Sequence, residues 1–252
     1  MDVARLRWSE MTGTSRPALA IGVVGHQFQR LPARDTPPWQ DLVLAIDLML
    51  RRLGEAVLTA VRETAGNSHA IPEIAVITCL ASGADQLVAH AAVRRAAAQP
   101  RFRLHSILPF EIGRYGAGMG ERDRAGLQQL AASSDVLDTL EVCGDDEASY
   151  RAASELLRAR ADLLLAIWDG GPSGGPGSTA ESVMAALDRE MPVIWLRPLA
   201  PQPQLLSHRH ALDEPDAFGE PQPVAPLQLE RLVADLLRRE RARGLAGSGL
   251  TG

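Results

Sequence analysis

Gly170, Gly171, Gly174, Gly175 and Gly177 put five glycines within eight residues, immediately after the apolar run Leu163 to Trp168. Glycine admits positive φ angles and close approach of a ligand to the main chain, so successive N–H groups can turn toward one anion. A phosphate is the natural guest, held by Gly174, Gly175 and Gly177 and by the start of a helix spanning Ser178 to Arg189, whose dipole favours negative charge. Ser178 and Thr179 fall at that helix start. Ser178-x-x-Glu181 reads either as a capping box or as a placement of Glu181 for catalysis. Asp169, at the strand end, suits a ligand hydroxyl, a metal or its own turn, and without a second acidic partner no metal is expected. Two further strand ends carry chemistry. Gly25-His26-Gln27 offers an imidazole to a phosphate or base, or fills a turn. Ser82-Gly83-Ala84-Asp85 reads as a capping pattern or as a carboxylate for a ribose hydroxyl.

Composition narrows the chemistry. Lysine is absent and all 26 basic residues are arginines, which excludes Schiff-base chemistry and a P-loop lysine and leaves bidentate phosphate contacts. A net charge of −5 and only 4% aromatic residues argue against a surface built for nucleic acid. Cys79 and Cys143 lie in apolar surroundings and read as reduced buried thiols. The apolar runs are too short to cross a membrane, and residues 1 to 7 lack the hydrophobic region of a signal peptide, so a cytoplasmic location is expected.

Strands and helices alternate in the order that would bring these turns together. Apolar runs at 18–25, 74–80, 102–108, 163–168 and 192–196 read as buried strands, with a short one at 136–142. Helices are predicted at 39–63, 86–98, 147–160 and 178–189, and at 112–124 a surface loop that enters another helix. In the first helix Leu42, Ile46, Met49, Leu50, Leu53, Val57 and Val61 form one apolar face. The expected fold is α/β, a Rossmann-like, doubly wound, mostly parallel sheet with helices on both faces. Residues 1–17 read as an irregular lead-in, 18–196 as the α/β domain that carries these turns and 197–226 as a Pro-rich mobile linker. Residues 227–252 form an amphipathic helix and tail, either folded back on the domain or offered to a partner.

Gly25-His26, Ala81-Ser-Gly-Ala-Asp85, Leu108-Pro109-Phe-Glu111, Ile167-Trp-Asp-Gly170 and Gly175-Pro-Gly-Ser-Thr-Ala-Glu181 follow one another in this order. Together they resemble the SLOG superfamily, the Rossmann-like domains named after the Smf/DprA proteins and the LOG phosphoribohydrolases. The resemblance covers about residues 18 to 196. It implies a ligand-binding set of Gly25, His26, Gln27, Ser82, Gly83, Asp85, Pro109, Asp169, Gly170, Gly174, Gly175, Gly177, Ser178 and Thr179. In LOG-type enzymes the glycine loop ends in a glutamate that assists cleavage of the base-ribose bond, which corresponds to Glu181. An arginine one helix upstream is the other expected catalytic group, with Arg151 and Arg158 as candidates. Related sequences often place arginine after the Gly-His pair, where this chain has Gln27, with Arg30 close by.

The resulting expectation is a nucleotide sensor of a bacterial stress or defence system, with no cofactor beyond its nucleotide or nucleotide-derived ligand. A LOG-like phosphoribohydrolase is the alternative, and DprA-like single-strand DNA binding ranks below both. The expected partners are the small-molecule ligand and, in a homo-oligomer, further copies of the chain. Neither membrane nor nucleic acid is expected.

Overall fold

A computed structural model describes residues 8, 12–64, 71–140, 145–172, 177–206 and 224–248. Seven strands form one sheet: β1 (Leu19–Gly25), β2 (Glu73–Thr78), β3 (Arg101–Leu108), β4 (Val136–Thr139), β5 (Leu163–Ile167), β6 (Val193–Arg197) and β7 (Ala200–Leu206). Their spatial order is β4-β3-β2-β1-β5-β6-β7. All neighbours are parallel except β7, which runs antiparallel to β6. This is the α/β, Rossmann-like architecture expected from the alternation of apolar runs.

The chain builds outward from β1 in one direction through β4, then returns to the other side of β1 and builds outward again. Because parallel crossovers are right-handed, reversing the direction of travel moves the connecting helices to the opposite face. Helices α1 (Pro37–Thr64) and α2 (Ala84–Val93) therefore cover one face, and α5 (Asp146–Arg160) and α6 (Thr179–Leu187) the other. Between β3 and β4 lie α3 (Ile112–Gly116) and α4 (Glu121–Ala132), which pack with Leu104 and Leu108 in a third cluster. Residues of β1 alternate as a two-sided strand must: Leu19, Ile21 and Val23 meet α1, while Ala20 faces the α5 side. β5 is buried along its whole length, as a strand covered on both faces requires.

The apolar face of α1 packs as its spacing predicts, with Leu42, Ile46, Met49, Leu50, Leu53 and Val57 buried and Val61 partly so. Helix α7 (Pro226–Ser248) folds back on this layer through Leu229, Val233 and Leu237. Two expectations need correction. Within the supposed linker at 197–226, Ala200–Leu206 is a strand whose Leu206 and Gln204 are buried. Its two prolines are tolerated because β7 is an edge, where missing N–H donors leave no ladder bond open. The Pro203 carbonyl still accepts from the Val224 amide at 2.8 Å. The supposed surface loop at 112–124 holds α3 and the start of α4, with the Glu111 carboxylate accepting from the amides of Gly113 and Arg114. Among the described residues no helix is long and apolar enough to cross a membrane.

Candidate functional site

β1 and β5 lie side by side, and their following segments leave toward opposite faces, so a crevice opens at their carboxyl ends. A cleft of about 710 Å³ occupies this position. Its floor begins at Gly25, where an added Cβ would lie 2.4 Å from the Ala84 Cβ. Gly83 has φ +102, and a side chain there would meet the His26 carbonyl at 2.4 Å. That same carbonyl accepts from the Ala84 amide at 3.0 Å. The turns after β1 and β2 are thus fastened to each other, backbone to backbone, and glycine is required at their meeting point.

Of the residues expected to bind, Gly25, His26, Gln27, Ser82, Asp85 and Pro109 line the cleft from the ends of β1, β2 and β3. Gly177, Ser178 and Thr179 face them from the start of α6. Gly174 and Gly175, the centre of the expected phosphate loop, lie outside the described residues. Gly83, Asp169 and Gly170, also expected to bind, do not line it: Gly83 is buried, and Asp169 and Gly170 are exposed. The Asp169 carboxylate lies 2.9 Å from His26 Nε2 and accepts from Arg30 at 2.7 Å and from the Gly171 amide at 2.9 Å. Burial opposes its ionisation, but the Gly171 amide, His26 and Arg30 together hold the carboxyl below the usual range. With its acceptors so engaged, Asp169 braces the loops after β1 and β5. The Asp169 amide is also 3.2 Å from His26 Nε2, so that nitrogen either accepts from the amide or donates to the carboxylate, according to tautomer.

Asp85 departs from the capping pattern. The residue preceding α2 is Gly83 and no side chain caps the helix, while Asp85 turns back under the end of β2. Its carboxylate accepts from the Thr78 hydroxyl at 3.0 Å. Burial raises its pKa to about 7, against the hydrogen bonds from Thr78 and the amides of Ala81 and Cys79. A carboxyl that titrates near neutrality can donate to a ligand oxygen when protonated and repels an anion when ionised. Cys79, a free thiol beside it, is pushed well up by burial and by Asp85, and so stays protonated. Cys143 lies outside the described residues.

At α6 Ser178 is the N-cap, as the capping reading expects, but the Glu181 carboxylate takes the amide one residue before it. Ser178 Oγ accepts from the Glu181 amide at 3.3 Å, and the Glu181 carboxylate accepts from the Gly177 amide. Arg151 does not reach the cleft: it is exposed on α5 and pairs with Glu147 one turn away. Arg158, two turns further along, is the arginine near Glu181. It is buried, donates to Ser182 Oγ at 3.4 Å, and its Nε has no partner among the described residues. Burial and the charge of Arg189 lower its pKa, while Glu155, Glu181 and Cys79 act to raise it.

Tyr115 and Tyr150 also line the cleft. From its sequence Tyr150 suits either the rim or, more commonly for a helix-facing aromatic, packing, and the structure leaves it 41% exposed in the cleft lining. Helical spacing was the available clue, because Tyr150 shares a face with Ala153, Ser154 and Leu157 and lies one turn beyond them. Tyr115 has no such pattern, since α3 is a single short turn. Among the described residues no group of three His, Cys, Asp or Glu side chains is disposed to hold a metal.

The chain matches no protein-family model and no curated protein. Among solved structures it is similar to DNA processing protein A from Helicobacter pylori, in a structure described for its single-stranded DNA binding mode. The two share 15% identity over 88% of this chain and 82% of that chain, with a TM-score of 0.48.

Proposed function

We propose that this protein binds a nucleotide or nucleotide-derived ligand through its phosphate and acts as a sensor, without turning the ligand over. The observation that carries the proposal is the meeting of two kinds of strand-end turn across one cleft. The start of α6, at Gly177, Ser178 and Thr179, faces His26, Gln27, Ser82 and Asp85. The start of a helix carries the positive end of its dipole, so we assign the phosphate to this end, where it would compete with the Glu181 carboxylate for the Gly177 amide, and the sugar to the β1 and β2 turns. Gly174 and Gly175 would extend the same cradle. Arg30, at the cleft wall, is paired with Asp169, and Arg158, buried on α5, reaches Ser182 of α6.

Sensing is favoured over catalysis because the Glu181 carboxylate is engaged by the Gly177 amide and Arg151 lies elsewhere. A bacterial stress or defence system, the setting that the sequence resemblance implies, belongs to this proposal. Hydrolysis of a nucleoside monophosphate is the second reading, and the placement of Arg158 near Glu181 favours it. In that reaction water adds at the ribose carbon, the base leaves with a proton and ribose 5-phosphate remains, with Glu181 released from Gly177 to act on the water. Incubation with nucleoside monophosphates, followed by calorimetry and chromatography, separates the two. Saturable binding with no free base is expected. Sustained release of base that Glu181→Ala abolishes would replace the sensor with the hydrolase.

A further inference from the structure

The chain has only two tyrosines among 252 residues, and both line this cleft. They are not equivalent. Tyr115 is buried, as is Phe110, whereas Tyr150 keeps 41% of its surface open.

The position of Tyr150 is set from two sides. At its backbone end it abuts Gly177, where an added Cβ would lie 3.2 Å from the Tyr150 Cβ. The ring therefore starts beside the amides assigned to the phosphate. At its far end it meets Phe110, beyond the end of β3, in a T-shaped contact with centroids 5.2 Å apart and planes at 90°. Tyr115 lies 6.3 Å away. The Arg114 guanidinium covers Phe110 at 4.3 Å and pairs with Asp146, which closes the cluster from outside. Edge-to-face packing fixes the orientation of an aromatic ring at little entropic cost.

A fixed and partly open ring in the same cleft as the start of α6 is what a nucleobase requires for stacking. We infer that Tyr150 is the platform on which the ligand's base stacks, and that it lets the cleft distinguish a nucleotide from a bare sugar phosphate. The inference rests on the phosphate reading above. It leaves His26, Gln27, Ser82 and Asp85 to the sugar and moves the base to the β3 side of the cleft.

The test compares adenosine 5′-monophosphate with ribose 5-phosphate by calorimetry on the full chain. The wild-type protein should prefer the nucleotide by about tenfold or more, in the range that base-aromatic stacking gives. Tyr150→Ala and Tyr150→Leu should both erase that preference while leaving ribose 5-phosphate binding within about twofold, and Tyr150→Phe should retain it. Tyr150→Leu preserves apolar bulk, so it answers the question if the alanine variant does not fold. An equal loss for both ligands, a wild-type protein without preference, or a phenylalanine variant that behaves like leucine overturns the stacking role and leaves the phosphate site standing. Failure of the wild-type protein to bind either ligand overturns both.

Discussion

Asp85 shows how far a single side chain can depart from its local pattern. In sequence, Ser82-x-x-Asp85 has the spacing of a helix cap, but the crowded joint at Gly83 makes the chain enter α2 through a positive φ, and the carboxyl is left under the sheet. With its pKa raised from 3.8 to about 7, the folded protein holds a proton that the unfolded chain releases earlier. Stability contributed by this group is therefore complete below about pH 4 and falls as pH rises through 7. Asp85→Asn should remove that slope. The variant should gain up to a few kcal/mol over wild type at pH 8, since a tenfold change in proton affinity corresponds to about 1.4 kcal/mol, and little at pH 4. Urea unfolding at the two pH values measures it, and parallel curves for the two proteins would show that Asp85 is not the titrating group. Glu181 is the opposite case: its spacing was legible, and Ser178 caps α6 as that spacing expects, with the Glu181 carboxylate on the amide one residue before the cap.

At the scale of elements, what the sequence discloses depends on whether burial leaves a period. α1 and α7 do, because one stripe of each faces apolar neighbours, while β1 and β5, covered on both faces, show instead as unbroken apolar runs. β7 does not. An edge strand bearing Pro201 and Pro203 satisfies neither a strand period nor a turn motif, and only pairing with β6 gives it shape. An apolar stripe inside one chain usually finds its own core, so α7 is expected to fold back rather than serve a partner, and it packs on α1. Leu229, 2% exposed in that seam, provides the measurement. Leu229→Ala should cost about 2–5 kcal/mol, the usual range for a buried leucine, seen as a lower denaturant midpoint. A loss near zero would mean that α7 is not part of the cooperative unit.

For the whole molecule, the order of the strands decides what kind of ligand fits. Reversal of the winding between β4 and β5 gathers the turns at Gly25, Ser82 and Gly177 around a single opening, and periodicity alone predicts the alternation but not which strands become neighbours. At about 710 Å³ the opening has the size of a small-molecule site. Among the described residues that line it, Tyr150 is the one exposed aromatic ring, where a strand-binding groove needs a row of them and a basic track. The net charge of −5 points the same way, because the phosphate backbone is attracted by excess positive charge and every such contact makes binding salt-dependent. Single-stranded oligonucleotides should therefore give no gel shift at about 0.15 M salt, near the physiological value, while adenosine 5′-monophosphate should raise the melting temperature. A shift that weakens steadily as salt is added, without protection by the mononucleotide, would mean that the cleft is the end of a longer polymer path and that the ligand is a nucleic-acid strand.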